Sequence, residues 1–355
     1  MLNNQSYALI PMKMVGPIKI IGSEVNDEIK VPLATFEKPL WSSVNRGAKV
    51  SMLIGGISAV IIKDGMSRSI LLEAPNAEYA NNVVLQLNKR KSDLVAIVSS
   101  TSNFAQLQDW HVQIIGNLLY LRFSIQTGDA AGHNMVTKAA DKLLDWLMKE
   151  YNQLRYISIS GNCCVDKKCS AINGILGRGK YLVVESIIPH DICTKHLRTT
   201  PQNIVELNIK KNLIGSNISG GTHTANAHFA NMLLGFYLAT GQDAANIVEG
   251  SQGITYAEVR NQDLYFSVTI PNIIVGTVGN GKDLDFVRTN LEMLGCLQKR
   301  DSGQNARRLA IIAAATIWCG ELSLLAAQTN RNELMRAHTI LERHIKGIPS
   351  MLESK

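Results

Sequence analysis

ISISGNCCVDKKCSAIN, residues 157–173, places one carboxylate and two ammonium groups within a run of small, apolar and sulfur-containing residues. Most of this stretch is typical of a buried segment, whereas Asp166, Lys167 and Lys168 are costly to remove from water. Neighbouring side chains of an extended segment point to opposite sides, so the two lysines cannot face the same way. A lysine that stays charged in a partly apolar pocket needs a carboxylate, and such a cation can stabilise a developing oxyanion. We therefore predict a dedicated site here.

Segments of strand and helix character alternate along the rest of the chain. Runs of β-branched and aromatic residues predict strands at YISIS (156–160), YLVVESII (181–188) and LYFSVTI (264–270). Apolar residues at helical spacing predict helices at 134–151, 224–241 and 306–328. His228 and Asn231 share one side of the second of these helices. From spacing alone, such a histidine is more often a core residue than a ligand.

The composition is that of a globular protein, since 46% of the 355 residues are hydrophobic and 18% are charged. This length allows one large domain or two moderate ones. The longest apolar stretch, 309–320, is shorter than the roughly 18 residues of a membrane span, and we predict a buried helix there. The N-terminal residues lack the pattern of a secretory signal, so we expect a cytoplasmic protein whose six cysteines are reduced.

The net charge of +7 is compatible with binding to nucleic acid, to a membrane surface or to a small anion. The basic residues are scattered, with short clusters at 89–91 and 210–211 and no sustained basic stripe on a helix. A small anionic ligand explains the charge equally well, and we expect no nucleic-acid or membrane partner. Nucleic-acid binding stays an alternative that salt-sensitive affinity would reveal.

Two glycine-containing segments are candidate phosphate-binding loops. GTVGNGKD, 276–283, matches the G-x-x-x-x-G-K part of a phosphate loop, but Asp283 stands where a magnesium-binding serine or threonine is needed. A phosphate-loop nucleotide hydrolase is therefore an alternative, and close approach to a dinucleotide pyrophosphate is another use of these glycines. GDAAGHNM, 128–135, opens a predicted helix at which an anion could lie, or at which Asp129 is simply the N-cap.

The cysteines at 163, 164 and 169 do not predict a metal site. Zinc sites typically combine ligand pairs such as C-x2-C with a second pair downstream, and this spacing is missing from the sequence. We expect no metal.

Several motifs, taken in order, resemble those of hydroxymethylglutaryl-CoA reductase (HMG-CoA reductase), the enzyme that makes mevalonate. They are VPLATFEKPLWSSVNRG (31–47), DGMSRS (64–69), GDAAGHNM, SGNCCVDKKCSAIN (160–173), HFANMLLGFYLATGQDAAN (228–246), GTVGNGKDL, GQNARRLA (303–310) and GELSLLAA (320–327). The resemblance covers nearly the whole catalytic portion of the family. The sequence shows no counterpart of the membrane-anchored N-terminal region of animal members, so we expect an enzyme similar to the soluble prokaryotic type.

The resemblance implies an α+β fold in which a large substrate-binding domain is interrupted by a small inserted nicotinamide-cofactor-binding domain. We expect the large domain at 1–69 and 159–330, the inserted domain at 70–158, and a C-terminal flap, mobile without ligand, at 331–355. The family assembles its active sites between subunits. A homodimer or a larger assembly of dimers is therefore also implied.

The activity that the resemblance implies is reduction of 3-hydroxy-3-methylglutaryl-CoA to mevalonate and CoA by two successive hydrides from NADPH or NADH. Carried over by motif, Glu37 is the acid that helps to protonate the carbonyl oxygen, and Lys167 is the cation over that oxygen. Asp243 would sit between these two in a shared hydrogen-bond network. His338 would protonate the CoA thiolate. A catalytically inactive relative is an alternative, against which the presence of all four residues argues.

The same resemblance implies binding roles for further residues. Those implied for the substrate are Arg46, Arg68, Ser160, Asp166, Lys168, His228 and Asn231. Those implied for the cofactor are Asp129, Asn134, Gly279, Asn280 and Gly281. Asn103 stands where NADPH-using relatives carry an arginine suited to a 2′-phosphate, so use of NADH, or of both cofactors, is an open expectation.

Overall fold

The structure, a computed structural model, describes residues 6–339, apart from the side chains of residues 337 and 338. Its strands are β1 (Met12–Ile21), β2 (Asp27–Ala34), β3 (Ile57–Glu73), β4 (Gln106–Ile115), β5 (Leu118–Gln126), β6 (Arg155–Ile159), β7 (Gly179–Ile188), β8 (Ile254–Arg260) and β9 (Asp263–Ile273). The strands predicted at 156–160, 181–188 and 264–270 correspond to β6, β7 and β9.

The helices alternate with these strands, so the predicted mixed α+β class is confirmed. They are α1 (Pro39–Leu53), α2 (Ala77–Lys89), α3 (Lys91–Ser99), α4 (His133–Glu150), α5 (Ala171–Leu176), α6 (His190–Ile192), α7 (Pro201–Leu207), α8 (Ser216–Ile218), α9 (Phe229–Ala239), α10 (Ile247–Gly250), α11 (Asp285–Met293), α12 (Gln304–Gln328) and α13 (Glu333–His338). Short π-helical segments at Cys193–Leu197 and Asn208–Gly215, and a 3-10 turn at Ala244–Asn246, lie between them.

The long strand β3 connects two sheets. Its first part, Ser58 to Gly65, pairs antiparallel with β7, and its second part, Met66 to Glu73, pairs antiparallel with β5 and β6. The first sheet has the strand order β2-β1-β3-β7-β9-β8, and β4 extends the second sheet through β5. A single strand, β3, therefore belongs to both sheets and joins them.

The larger hydrophobic core surrounds α12, which is buried along nearly its whole length. This helix is long and apolar enough to cross a membrane by length and composition, but 94% of that stretch is buried inside the protein. The buried helix predicted from the sequence is confirmed. Gly47 of α1 allows close helix packing, because a Cβ there would lie 2.1 Å from the carbonyl oxygen of Cys319 in α12.

A second hydrophobic core lies between the second sheet and the helices α2, α3 and α4. Its buried residues run from Met66 to Leu154 and are joined by Ile274 from the segment after β9. The predicted inserted domain at 70–158 overlaps this core, and its bounds stay a prediction. The six cysteines are free thiols in the structure.

The helix predicted at 224–241 is shorter than expected and begins only at Phe229, as α9. The preceding backbone is held elsewhere, because the Glu321 carboxylate accepts the N–H groups of Ala227 at 2.6 Å and His228 at 3.1 Å. Residues 224–228 therefore lead into the helix rather than belonging to it.

The alternative interpretation of Asp129, as the N-cap of α4, is wrong. Gly132, with φ of 95°, stands at that position, and no side chain caps the helix. Oδ1 of Asp129 instead accepts the N–H of Ala306, at 2.9 Å, in the first turn of α12. A carboxylate distant in sequence thus caps a helix of the larger core.

Candidate active site

Two glycine-containing loops, one before α4 and one after β9, line a cavity of about 550 Å³, here called the loop cavity. The Thr277 N–H donates to the carbonyl oxygen of Asp129 at 2.8 Å and so joins the two loops. A Cβ on Gly276 would lie 2.4 Å from the nitrogen of Ala131, so only glycine permits this approach. The uncapped start of α4 also lines the cavity, where its first N–H groups can bind an anion.

Only some of the predicted cofactor-binding residues line the loop cavity. Asn134, Gly279 and Asn280 line the loop cavity. Gly281 and Asp129 are not among its lining residues, and the Asp129 carboxylate is bonded to the start of α12. Asp129 therefore supports the loop through its backbone and caps a helix with its side chain.

Lys167 and Asp243 form an ion pair in the loop cavity, with 2.7 Å between Nζ and Oδ2. The hydrogen bond to Asp243 is the main reason why the pKa of Lys167 is raised. Burial by itself would raise the pKa of Asp243, but the hydrogen bonds from Lys167 and from the Ala245 N–H outweigh burial, and the pKa is lowered. Both groups are therefore charged at neutral pH, and the structure brings these two predicted catalytic residues together.

A buried hydrogen-bond network, which the sequence analysis did not predict, holds the segment that carries Lys167. Oε1 of Glu249, a fully buried residue, accepts three hydrogen bonds. Its donors are Arg178 Nη1 at 2.8 Å, the Lys167 N–H at 3.1 Å and Asn246 Nδ2 at 3.1 Å. Arg178 also lies 2.9 Å from Oδ1 of Asp166. Lys167 has φ of 55°, an unfavourable backbone conformation for lysine that these contacts maintain.

His133, the first residue of α4, lies beside this network. Its Nε2 is 3.2 Å from Nδ2 of Asn246 and 3.9 Å from Oδ1 of Asp166. Burial, followed by the charge of Arg178, lowers the pKa of His133, so the neutral ring is favoured. An amide nitrogen can only donate, so Nε2 accepts and the proton of the neutral ring lies on Nδ1.

The other predicted residues of the 160–168 segment lie in different surroundings. Arg68 lines the loop cavity, with Nη1 3.7 Å from Oδ2 of Asp166. The Lys168 side chain is exposed, and its Nζ donates to the carbonyl oxygen of Asp166 at 3.1 Å. Ser160 is not a lining residue, and its Oγ lies 3.1 Å from Sγ of Cys164.

Glu37 lies in a second cavity of about 370 Å³, here called the Glu37 cavity. Nδ2 of Asn231 donates to Glu37 Oε2 at 2.9 Å and lies 3.4 Å from Nδ1 of His228. Nε2 of His228 is 2.9 Å from the carbonyl oxygen of Gly320, which can only accept, so Nε2 carries a proton. Nδ1 faces the Asn231 amide nitrogen, which can only donate. The structure thus brings three predicted residues together.

Glu321 of α12 fixes the position of His228, a role that the sequence did not predict. Its buried carboxylate accepts the His228 N–H and the hydroxyl of Thr255. Lys211 is half-buried nearby; burial lowers the pKa of this lysine, and the charge of Glu321 partly offsets the change. No sequence motif links these residues, which are far apart along the chain.

Arg46 stands at the edge of the Glu37 cavity. Its Nη1 pairs with Oε1 of Glu333 at 2.9 Å. An adjoining cavity, which shares Glu333, is lined by Arg198, Arg331 and Arg336. This edge of the site therefore presents several cations to an anionic ligand.

The two clusters remain separate within one chain. Glu37 and Lys167 line different cavities, and within residues 6–339 no hydrogen bond joins Glu37 to either Lys167 or Asp243. The predicted network that would link these three residues through Asp243 is not formed inside a single chain. The backbone of His338 ends α13, but its side chain lies outside the described part of the chain, as does most of the predicted flap.

The sequence model of the family described as hydroxymethylglutaryl-coenzyme A reductase matches residues 3–343. The chain belongs to this family. The 3-hydroxy-3-methylglutaryl-coenzyme A reductase of Aeropyrum pernix is 45% identical over 336 residues, which are 94% of this chain and 79% of that relative. The corresponding reductase of Pyrococcus abyssi is 44% identical over 337 residues, with 94% and 82% covered.

The fold is also similar to that of a solved member of the reductase family. The class II 3-hydroxy-3-methylglutaryl-CoA reductase from Streptococcus pneumoniae, bound to NADPH in open conformations, matches with a TM-score of 0.72. The match covers 93% of this chain and 88% of that chain at 18% identity. At this identity the likeness supports the mixed α+β fold.

Membership of the reductase family disfavours the phosphate-loop hydrolase. A phosphate loop leads straight into a helix after its lysine, whereas here α11 begins only at Asp285. The Lys282 ammonium donates to the carbonyl oxygen of Gly241. Within the described ranges, no group of three or more His, Cys, Asp or Glu residues could hold a metal ion.

Proposed function

We propose that this chain reduces 3-hydroxy-3-methylglutaryl-CoA to mevalonate and CoA, a reaction of the mevalonate pathway of isoprenoid synthesis, with NADPH or NADH as reductant. The observation that carries the proposal is the Lys167–Asp243 pair, a lysine held charged in a cavity between two glycine-containing loops. Family membership supports the same reaction.

Lys167 stabilises the negative charge that develops on the substrate carbonyl oxygen during reduction. Asp243 keeps its ammonium group protonated. The hydrogen bond from the Lys167 N–H to the buried Glu249 fixes the backbone before substrate arrives. A cation held in place in this way requires little reorganisation during the reaction, which is the condition for effective electrostatic stabilisation.

The anionic parts of the substrate have matching cations. Arg68 and Lys168 can pair with the free carboxylate of the hydroxymethylglutaryl group, because Arg68 lines the loop cavity and Lys168 is exposed beside it. Arg46 and Arg198 can bind the phosphates of CoA at the edge of the Glu37 cavity.

A homodimer would complete the site. Glu37, hydrogen-bonded to Asn231, would face the Lys167–Asp243 pair of a second subunit and donate a proton to the carbonyl oxygen. The placement of Glu37 and Lys167 in different cavities of one chain supports this arrangement. His228 then orients Asn231, and through it the Glu37 carboxyl group.

A reduced nicotinamide cofactor supplies the hydride in each step. The residues present fit such a group, because the uncapped start of α4 offers backbone donors beside Asn134, Gly279 and Asn280. The unit around the second core, predicted at 70–158, would hold it. Asn103 has no charge with which to bind a 2′-phosphate, so we expect NADH to be used as well as NADPH.

We assign protonation of the CoA thiolate to His338 on the C-terminal flap, 331–355, which would close over bound substrate. We also propose that the protein works in the cytoplasm.

The proposed function is tested by following the absorbance of NADPH and NADH in parallel with purified protein and hydroxymethylglutaryl-CoA. We expect oxidation that depends on the substrate and is lost in Lys167→Ala. The matched control is Lys195→Ala, which removes an exposed lysine whose partner is the exposed Asp191 and should leave the rate unchanged. Folded wild-type protein that oxidises neither cofactor would contradict the proposal.

A further inference from the structure

Lys282 is a cation of the loop cavity to which the proposed function assigns no role. It follows Gly281 in the loop after β9, lines the loop cavity and is half-buried. Its ammonium donates to the carbonyl oxygen of Gly241, which is a neutral partner. Burial lowers the pKa of Lys282 to about 8, and no carboxylate of the described residues opposes that change.

The acidic groups of the loop cavity already have cationic partners. Asp243 is paired with Lys167 at 2.7 Å, and Asp166 lies 2.9 Å from Arg178 and 3.7 Å from Arg68. His133, the remaining titratable side chain that lines this space, is held toward its neutral form. Among the described residues that line the cavity, Lys282 is therefore a cation whose one hydrogen-bond partner is neutral, and a bound anion would provide a counterion.

The position of Lys282 indicates which anion fits. The loop that carries it is joined to the loop before α4 by the hydrogen bond between Thr277 and Asp129. The uncapped start of α4, from His133 onward, lines the same cavity. Backbone donors and an ammonium group around one cavity suit a phosphate group better than a carboxylate, because a phosphate offers more acceptor oxygens.

We propose that the ammonium of Lys282 binds the pyrophosphate of the nicotinamide dinucleotide. This inference rests on the proposed function, since it deepens the assignment of the loop cavity to the cofactor. NADH and NADPH share the pyrophosphate, so Lys282 adds affinity for both without choosing between them. Arg68 and Lys168, and not Lys282, bind the carboxylate of the hydroxymethylglutaryl group.

The test is equilibrium binding without substrate, measured by fluorescence titration of the full chain with NADPH, NADH and ADP-ribose. Lys282→Met should raise the Kd of all three by roughly ten- to a hundredfold, the range for a lost hydrogen bond to a charged group. Lys282→Arg should restore most of the affinity, and the KM for hydroxymethylglutaryl-CoA should not change. The control is Lys142→Met, at an exposed position of α4.

Affinity for the dinucleotides should also fall in the wild-type protein as the pH rises through about 8, because Lys282 then loses its proton. Lys282→Met should remove that part of the pH dependence, while the contributions of His133, Lys167, Asp166 and Asp243 remain in both proteins. Unchanged binding, a loss confined to NADPH, or a change only in the KM of the substrate would each overturn the inference. If the wild-type protein bound no dinucleotide, the proposed function itself would fail.

Discussion

Nζ of Lys167 lies 2.7 Å from Oδ2 of Asp243, and the two side chains are 42% and 47% exposed. Ion pairs this exposed contribute little to folding, because water screens the attraction and the side chains lose entropy. The pair nevertheless raises the pKa of Lys167 and lowers that of Asp243. Its main effect is therefore to fix a charge state, and its removal should affect catalysis more than stability.

Asp243→Asn should lower kcat by about a hundredfold or more, the usual range for loss of a group that takes part in proton transfer or in electrostatic stabilisation of the transition state. The pKa of Lys167 is raised in the wild-type protein, so its cation persists to higher pH than that of a free lysine. Without the Asp243 carboxylate, the pKa of Lys167 falls. The loss of activity on the basic side of the pH profile should therefore begin at a lower pH than in the wild-type protein. The measurement is the pH profile of kcat.

The control for Asp243→Asn is Asp191→Asn, which alters an exposed Lys195–Asp191 pair away from both cavities. This variant should keep the wild-type profile. If Asp243→Asn retained the basic limb of the wild-type profile, Asp243 would not be the group that keeps Lys167 charged.

Glu37→Gln and Lys167→Ala should each be inactive alone but should regain activity when the two proteins are mixed under conditions of subunit exchange. In a mixed dimer, one site combines both substitutions and the other combines intact Glu37 with intact Lys167. Random exchange then restores about a quarter of the wild-type sites, as follows for a two-fold symmetric dimer. The measurement is the steady-state rate of the mixture against each variant alone.

A mixture that stayed inactive after verified exchange would show that Glu37 and Lys167 act within one subunit. Mixing Lys167→Ala with Asp243→Asn serves as the matched control. These two residues form a pair inside one chain, so every site of a mixed dimer would lack one of them and no activity should return.

The sequence predicted which site residues lie together only where they are neighbours along the chain. It did not predict the contacts between site residues that are far apart along the chain. The composition of the segment 157–173 was enough to indicate a charged lysine beside a carboxylate. Periodicity gave α4 and α12 because their apolar faces recur at helical spacing. The partner Asp243 came only from the family resemblance, since nothing in its spacing relates it to Lys167.

The buried acids illustrate what the sequence could not reveal. Glu249 and Glu321 look like ordinary helix residues, and only the fold brings them against the backbone N–H groups of Lys167 and His228. The same limit explains Asp129, whose sequence position favours capping the next helix but whose carboxylate caps α12 instead. Local preference is overridden where tertiary contacts satisfy the same donors.

Gly47→Ala should destabilise the protein by about 1–3 kcal/mol, the usual cost of overpacking. Its Cβ would fall 2.1 Å from the backbone oxygen of Cys319, which a change of rotamer cannot relieve. The control is Gly215→Ala, where the nearest atom is 3.6 Å from the new Cβ and φ is −59°. That variant should be as stable as wild type or more so, by up to about 1 kcal/mol. Urea unfolding of both variants makes the comparison, and equal midpoints would contradict the packing argument.

Glu249→Ala should lower stability by about 3–5 kcal/mol, because it leaves the guanidinium of the fully buried Arg178 with one carboxylate fewer. Glu249→Gln keeps an oxygen to accept the Lys167 N–H but removes the charge. It should therefore retain more kcat than Glu249→Ala at a temperature where both are folded. The control Glu206→Ala, which breaks an exposed pair with Lys210, should leave the urea midpoint and kcat unchanged.

The comparison of Glu249→Gln with Glu249→Ala separates positioning from simple stability. If Glu249 holds the backbone of Lys167, the two folded variants should differ in kcat while sharing the wild-type KM for the dinucleotide, because Glu249 does not line the loop cavity. Their pH profiles should also show Lys167 losing its proton at lower pH than in the wild type, since the charge of Glu249 contributes to the raised pKa of that lysine. Folded variants with equal kcat and an unshifted profile would show that Glu249 serves only to neutralise Arg178.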